Sequence, residues 1–559
     1  MISSTDSRVV TKPATRTAER RDLTLTRREF LGAAATVAGG ARASVEDNKD
    51  IKISVPGKAI EESFRIAVRL IDDMRHLASA YYGKDGLLAV SDGKNGPQHS
   101  YDPRDFHFGP KCAAYLYGHD PRFSIEMGHR IFQDQSDPVD GRLLWDPTGQ
   151  TAIHFAQTAK YWSEYVTYAE QDATVSEDWS RVLQTIKWCM ATYDANGDGL
   201  IENGTKVPNN FWALLVGEPM NFAQVSNCSQ DVVAVASMDV CELLRVMGAH
   251  SAAHGLAGAD WLQAHAAQSH EAIETSVWDP DADYYYLLYR RPEKRWQHSI
   301  LRLNEDSREL DATPYYSALT SGNHSRAVKV AEYARKVLLE ESIFPMPLWY
   351  PTYSWVSPNY DSAYSGIEGG CWEEGYYNCV RSWSECKMLD ALYEAIRRRS
   401  EAYARDGDCI EWYTQDKGLG RGRDRYGISA GAHIAAIIEG LFGITPAKSG
   451  FSEINIRPNL PEKWTDQTST LRVTLPNNGF LECSHLYDTA NRAITLRVSS
   501  NQQREAHFRV YAPLPVASVK WNSVKTRYDS AQQPGAGFFV FLDRPFQEGL
   551  LEINMRPRT

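Results

Sequence analysis

The chain has 559 residues, of which 43% are hydrophobic, 23% charged and 11% aromatic, a balance that excludes a disordered or fibrous protein. Its formal charge of −11 provides no basic stripe for a phosphate backbone, so no nucleic-acid partner is expected.

The first element in chain order is a leader. Thr26-Arg27-Arg28-Glu29-Phe30-Leu31 enters an apolar run rich in Gly and Ala, Gly32–Gly40, and Ala41-Arg42-Ala43 follows as a small-x-small cleavage site. A basic region, a short apolar stretch and an A-x-A site make a signal peptide, and the paired arginines give it the twin-arginine form. The run is too short and too Gly/Ala-rich to hold a bilayer. Residues 1–43 are therefore set apart from the fold, and the mature protein is expected in the periplasm or outside the cell, with no membrane association once the signal is cleaved. Eight of the 60 Lys+Arg and four of the 71 Asp+Glu lie in this leader, so the remainder carries −15.

From about 57 to 446 the periodicity is helical. Ile60, Phe64, Ala67, Ile71 and Met74 form one stripe; Trp179, Val182, Leu183, Ile186, Met190 and Tyr193 form a second. Val233, Val240, Leu243, Leu244 and Met247 form a third; Ala327, Val330, Ala331, Ala334, Val337 and Leu338 form a fourth. This spacing predicts about twelve helices, with long Gly-, Pro-, Trp- and Tyr-rich loops between alternate pairs. Long loops in a compact domain commonly carry function.

After Pro446 the period becomes two. Ile454-Asn455-Ile456, Leu471–Leu475, Ile494–Val498, Phe508–Tyr511 and Leu551–Ile553 alternate between turn residues such as Pro476-Asn477-Asn478-Gly479. The expected organisation is a signal at 1–43, a helical domain at 44–446 and a small antiparallel β-sandwich at 447–559. Nine cysteines show neither CxxC nor zinc-ligand spacing with His. Cys189 and Cys241 lie on apolar helical faces and read as core; one disulfide is compatible with export, and an odd count leaves at least one free thiol.

Carboxylates supply the candidate chemistry. Glu411 stands between Cys409-Ile410 and Trp412-Tyr413, on a loop that enters a helix with Ile434, Ile437, Ile438 and Leu441 on one face. Ser429 is placed to cap that helix, and Gly443 and Pro446 to stop it. A carboxylate among aromatics at the rim of a helical domain can activate water, and it can equally be an exposed loop Glu. Asp194-Ala195-Asn196-Gly197-Asp198-Gly199 is the first half of a calcium loop, with Asp194, Asn196 and Asp198 as ligands, yet position twelve is Thr205. Bound calcium and a tight structural turn both remain open. Glu202 and Glu218 are the nearby candidates for a general acid. Gly369-Gly370-Cys371-Trp372-Glu373-Glu374 opens a later helix, so Trp372 could stack on a sugar and Glu373 could bind hydroxyls. Trp145-Asp146-Pro147-Thr148-Gly149 invites the same reading. For both, a packed Trp in a Gly-rich loop is the plainer alternative.

These segments carry a resemblance. D-x-N-x-D-G-L-I-E, then G-G-x-W at the head of a late helix, then Glu411-Trp412-Tyr413 ahead of Ser429-Ala430, come in that order. The helical region ends on Gly440-Leu441-Phe442-Gly443-Ile444-Thr445-Pro446 and Ile456-Arg457-Pro458-Asn459-Leu460-Pro461. The chain resembles the six-hairpin, (α/α)6-toroid glycosidases over about residues 57–460. Its middle is similar to processing α-glucosidases and its ending to bacterial α-L-rhamnosidases. The resemblance implies a mainly α fold, an (α/α)6 toroid followed by the β-sandwich, with a cleft at one end. It implies inversion by an acid between helices five and six and a base between helices eleven and twelve, the base position falling on Glu411.

At the acid this chain departs from the pattern. Processing α-glucosidases carry Gly-x-Asp where this sequence reads Gly204-Thr205-Lys206-Val207-Pro208-Asn209-Asn210, without an acidic group. Asn cannot protonate a leaving oxygen. Glucoamylases place their acid after an apolar-aromatic pair, which points to Glu202; Glu218, Glu373 and Glu374 stay open. The substrate-binding candidates are Trp145, Asp146, Trp372, Glu373 and Trp412. The implied partner is a carbohydrate, with no cofactor beyond the calcium already named. A polysaccharide lyase on a similar toroid and a catalytically inactive sugar-binding homologue are the rival readings.

Overall fold

Two kinds of helix occur in the helical region: some are apolar all round, others carry a single apolar stripe. The computed structural model describes residues 51–82, 108–118, 139, 152–168, 172–202, 231–290, 294–298, 313–340, 373–413, 418–421, 424–532 and 537–557. The leader at 1–43 lies outside them. The α-helices among the described residues are α1 (Lys58–Tyr82), α2 (Gly109–Tyr117), α3 (Ala152–Tyr168), α4 (Asp172–Tyr193), α5 (Ala234–Ala253), α6 (Ala259–Ala272), α7 (Thr313–Leu319), α8 (His324–Arg335), α9 (Glu373–Cys386), α10 (Leu389–Asp406) and α11 (Gly427–Ala435).

Every residue of α2 is buried. From Ile428 onward the same holds for α11 and its π-helical continuation Ala436–Leu441, so that helix is buried on all faces rather than the one its isoleucines predicted. In α6, by contrast, only Leu262, Ala266 and Ser269 are buried, and in α8 only Ala327, Val330, Ala331 and Ala334. Burial and contact agree. α2 packs on α3, α3 on α5, α5 on α7, α7 on α9, α9 on α11, and α11 back on α2, closing an inner ring. α1, α4, α6, α8 and α10 each pack on one or two of these. The fold is an (α/α)6 toroid with β-structure after it. The predicted stripes all face its core.

Connection lengths orient the ring. Those at 169–171, 254–258, 320–323 and 387–388 are short, whereas those at 83–108, 194–233, 273–312, 341–372 and 407–426 are long. In an up-and-down ring the two kinds fall on opposite ends, so the long connections gather at one end.

The strands used here are β1 (Lys52–Ser54), β2 (Glu453–Ile456), β3 (Ser469–Leu475), β4 (Gly479–Asp488), β5 (Ala493–Ala512), β6 (Val516–Trp521) and β7 (Phe538–Met555). They join one hydrogen-bonded sheet in the order β1-β3-β4-β5-β7-β6, in which every pair is antiparallel except β2 with β5. β1 was expected within the helical region; instead Ile53 pairs with Leu471 and brings the start of the chain into the sheet. β5 changes neighbours along its length, running beside β4 up to Ser500 and beside β2 from Glu505. Its inward residues Ile494, Leu496, Val498, Ala506, Phe508 and Val510 are all buried, as period two requires. The sheet meets the toroid where inner helices finish: the Gly118 amide, just past α2, donates to Thr474 Oγ1 at 3.1 Å. The end bearing the long connections is the opposite one.

The seven described cysteines are buried and no disulfide joins any two of them; Cys228 and Cys371 lie outside the described residues. No described helix is long and apolar enough to cross a membrane.

Candidate active site

Glu411 lies in the last long connection, between the outer helix α10 and the inner helix α11. α10 ends on Gly407 in the left-handed conformation, which turns the chain back toward the ring. Asp408 then accepts two backbone amides, Cys409 N at 2.7 Å through Oδ1 and Arg425 N at 2.9 Å through Oδ2. Cys409 O accepts Tyr426 N at 2.8 Å, and Ile410 O accepts Ser429 Oγ at 2.9 Å. Ser429 is therefore not the helix cap the sequence suggested: Tyr426 is the cap residue, and the Ser429 hydroxyl ties the residue before Glu411 to α11. Trp412-Tyr413 pairs with Gly420-Arg421 as a two-stranded stub. Glu411 itself is 4% exposed, so it is a buried carboxylate rather than the exposed loop Glu of the plainer reading.

The short strand that follows Glu411, Trp412–Tyr413, rests through Tyr413 on a buried aromatic and cationic layer. Tyr413 packs on Tyr403 with ring centroids 5.8 Å apart, and the Arg399 guanidinium lies 5.1–5.6 Å from the rings of Tyr376, Tyr403 and Tyr413. His433 contacts Ser63 Oγ at 2.9 Å and the Tyr376 hydroxyl at 3.3 Å. Burial, aided by Arg399, pushes the His433 imidazole down to about 3, so it is neutral.

Glu202 lies in the connection between α4 and α5, at the same end of the toroid. Its amide donates to Tyr193 O at 2.7 Å, and it bridges to Val232. The preceding D-x-N-x-D-G segment forms a turn whose side chains cap backbone. Asp194 accepts Gly199 N, Asn196 accepts Asp198 N, and Asp198 accepts Leu200 N. The Asn196 amide nitrogen also points at Asp198 Oδ2, 2.8 Å away. Among the described residues, no cluster of three or more metal-ligating side chains occurs. Burial is the main cause that lifts the Asp194 carboxyl, to about 6. Glu373 is the first residue of α9, and Trp412 pairs with Arg421. Glu218, Trp145, Asp146 and Trp372 lie outside the described residues.

Sequence reasoning missed the polar interior of the ring. Lys111 of α2 pairs with Glu164 of α3, and its ammonium lies 4.7–5.7 Å from the rings of Phe108, Tyr168 and Tyr377. Burial raises the Glu164 carboxyl to about 7 against the pull of Lys111. Glu439, in the π-helical turn, accepts Tyr115 at 3.2 Å and Tyr168 at 2.7 Å on one oxygen, and Tyr377 at 2.5 Å together with Arg381 on the other. A charged residue inside an otherwise apolar run was the only available signal.

No protein-family model matches the chain, and no curated protein matches it in sequence. Solved structures do match in shape. A GH78-family rhamnosidase of Bacillus sp. GL1 superposes with a TM-score of 0.56 at 14% identity, over 82% of this chain and 43% of that one. The α-L-rhamnosidase of Streptomyces avermitilis in complex with L-rhamnose gives 0.54 at 11% identity, over 90% and 42%. That of Dictyoglumus thermophilum gives 0.53 at 10% identity, over 90% and 50%.

The chain has the fold of the (α/α)6-toroid glycosidases. It spans half or less of the length of these rhamnosidases. Within the toroid-glycosidase fold, Glu411 occupies the connection entering the last inner helix, and Glu202 the connection entering the third.

Proposed function

We propose that the protein is a glycoside hydrolase exported through its twin-arginine-type leader to the periplasm or beyond the cell. In this reading it removes a terminal sugar from an oligosaccharide or glycoside with inversion. Glu411 is the general base, and Glu202 or Glu218 the acid. The observation that carries the reading is a buried carboxylate, Glu411, held by backbone ties at the loop-bearing end of a toroid shaped like α-L-rhamnosidases. An ionised base there would hold a water against one face of the sugar ring while the acid protonates the leaving oxygen from the other. Inversion requires the two carboxyls to stand about 6.5–9.5 Å apart, leaving room for that water.

The test is a panel of aryl glycosides led by aryl α-L-rhamnosides and α-glucosides, with products followed by proton NMR. The expected result is release of a sugar of inverted configuration, with kcat lowered about 10²–10⁴-fold in Glu411→Gln. Retained configuration, or a fully active Glu411→Gln, would overturn the reading.

A further inference from the structure

We propose that Asp408 is a positioning residue for Glu411, one carboxylate that fastens both ends of the 409–425 connection and so sets where the Glu411 carboxylate points. This rests on the reading of Glu411 as the base.

The two amides that Asp408 accepts belong to Cys409 and Arg425, which begin and end the connection. A carboxylate is acceptor-only, so each oxygen can take one amide without conflict. An Asn in its place would turn an NH2 group toward one of those N–H donors. Beside this clamp, the Cys409–Tyr426 and Ile410–Ser429 bonds leave Glu411 one residue from a fixed backbone oxygen. The Arg425 backbone sits in the left-handed region at φ 52, which is disfavoured for a residue with a Cβ. Its amide is held by Asp408, and its guanidinium reaches Asp73 of α1 at 2.9 Å. The Asp73 contact joins two side chains 44% and 40% exposed, where water and salt screen it, whereas the Asp408 carboxylate holds the backbone itself at both ends of the connection. A general base must be held to a fraction of an ångström, since displacement by about 1 Å can lower the rate about 10²-fold.

Asp408→Asn, Asp73→Asn and Glu411→Gln are compared with wild type by steady-state kinetics on the glycoside turned over best, by thermal melting and by amide hydrogen exchange of the 409–426 segment. Expected for Asp408→Asn is a kcat lower by about 10–100-fold with KM within about threefold. Exchange in 409–426 should be about tenfold faster, with the rest of the chain unchanged. Asp73→Asn should stay within about twofold of wild type. A purely structural role would lower the melting temperature and leave kcat and local exchange as they are, which overturns the proposal. If Glu411→Gln is inactive while Asp408→Asn keeps wild-type kcat, the base assignment stands and the positioning role falls. If Glu411→Gln is fully active, the base assignment falls and takes the positioning role with it. Unchanged exchange in Asp408→Asn removes the clamp whether or not any glycoside is hydrolysed.

Discussion

Glu439→Gln is the sharpest test of the toroid's interior. Glu439 is 1% exposed, and the side chain of its partner Arg381 is 9% exposed. Each carboxylate oxygen receives two donors, Tyr115 and Tyr168 on one, Tyr377 and Arg381 on the other. Gln has the same shape but only one acceptor oxygen, so in either orientation its NH2 group faces two donors. In one orientation the stranded donors include the Arg381 guanidinium, and in both its compensating charge is gone. Removing one partner of a buried ion pair costs about 3–5 kcal/mol, because the other charge stays buried. For a unit of roughly 500 residues, an unfolding entropy of about 1 kcal/mol/K turns this into a melting midpoint lower by about 3–5 °C. The assay is calorimetry on wild type, Glu439→Gln, Arg381→Met and the double variant. The double variant should be more stable than the sum of the singles predicts by about 2 kcal/mol or more, since no lone charge remains. Singles that add within about 0.5 kcal/mol, or a Glu439→Gln midpoint equal to wild type, would refute a buried charge hub.

His433 makes the fold sensitive to acid. Its folded value of about 3 lies below the ordinary 6.5, so between these limits the unfolded chain binds a proton that the native one refuses. Stability therefore rises with pH across that window and falls by at most about 1.4 kcal/mol per unit on acidification, or about 2.5 kcal/mol at pH 4.5. Glu164, raised to about 7, has the opposite slope over part of that range. The measurement is therefore the melting temperature of wild type against His433→Gln from pH 4.5 to 7.5, and parallel curves would contradict the assignment. Gly443 should tolerate no Cβ: its φ is +65, and the added carbon would stand 2.0 Å from Arg457 O. Gly443→Ala is expected to cost more than about 2 kcal/mol, against about 1 kcal/mol for Gly407→Ala, where φ is +67 but the space is open. Equal denaturation midpoints for the two variants would show that the close approach is not what requires glycine there.

Much of this architecture was legible before any fold was built. The stripe from Ile60 to Met74 and the alternation around Ile494, Leu496 and Val498 report their own elements, because periods of 3.6 and two are local properties of the backbone. The Glu411 segment stood out for the same reason, as a carboxylate among aromatics just ahead of an apolar helix. In the calcium-like turn at 194–199 the side chains bond within six residues of one another. The partners of Glu439 were not legible. Tyr115 and Tyr168 are 324 and 271 residues away, and only the closed ring of inner helices brings them to one carboxylate. Asp408 is adjacent to the Glu411 segment, but its role depends on the Arg425 amide 17 residues later. Nor could spacing show that β1 crosses the length of the chain to pair with β3. The sequence by itself determined which segments are helix and strand and which carboxylate to suspect, since those follow from neighbours along the chain. Only the tertiary structure decided which polar groups meet inside the ring and what holds Glu411. A donor's partner is set by ring closure and loop return, which no local pattern encodes.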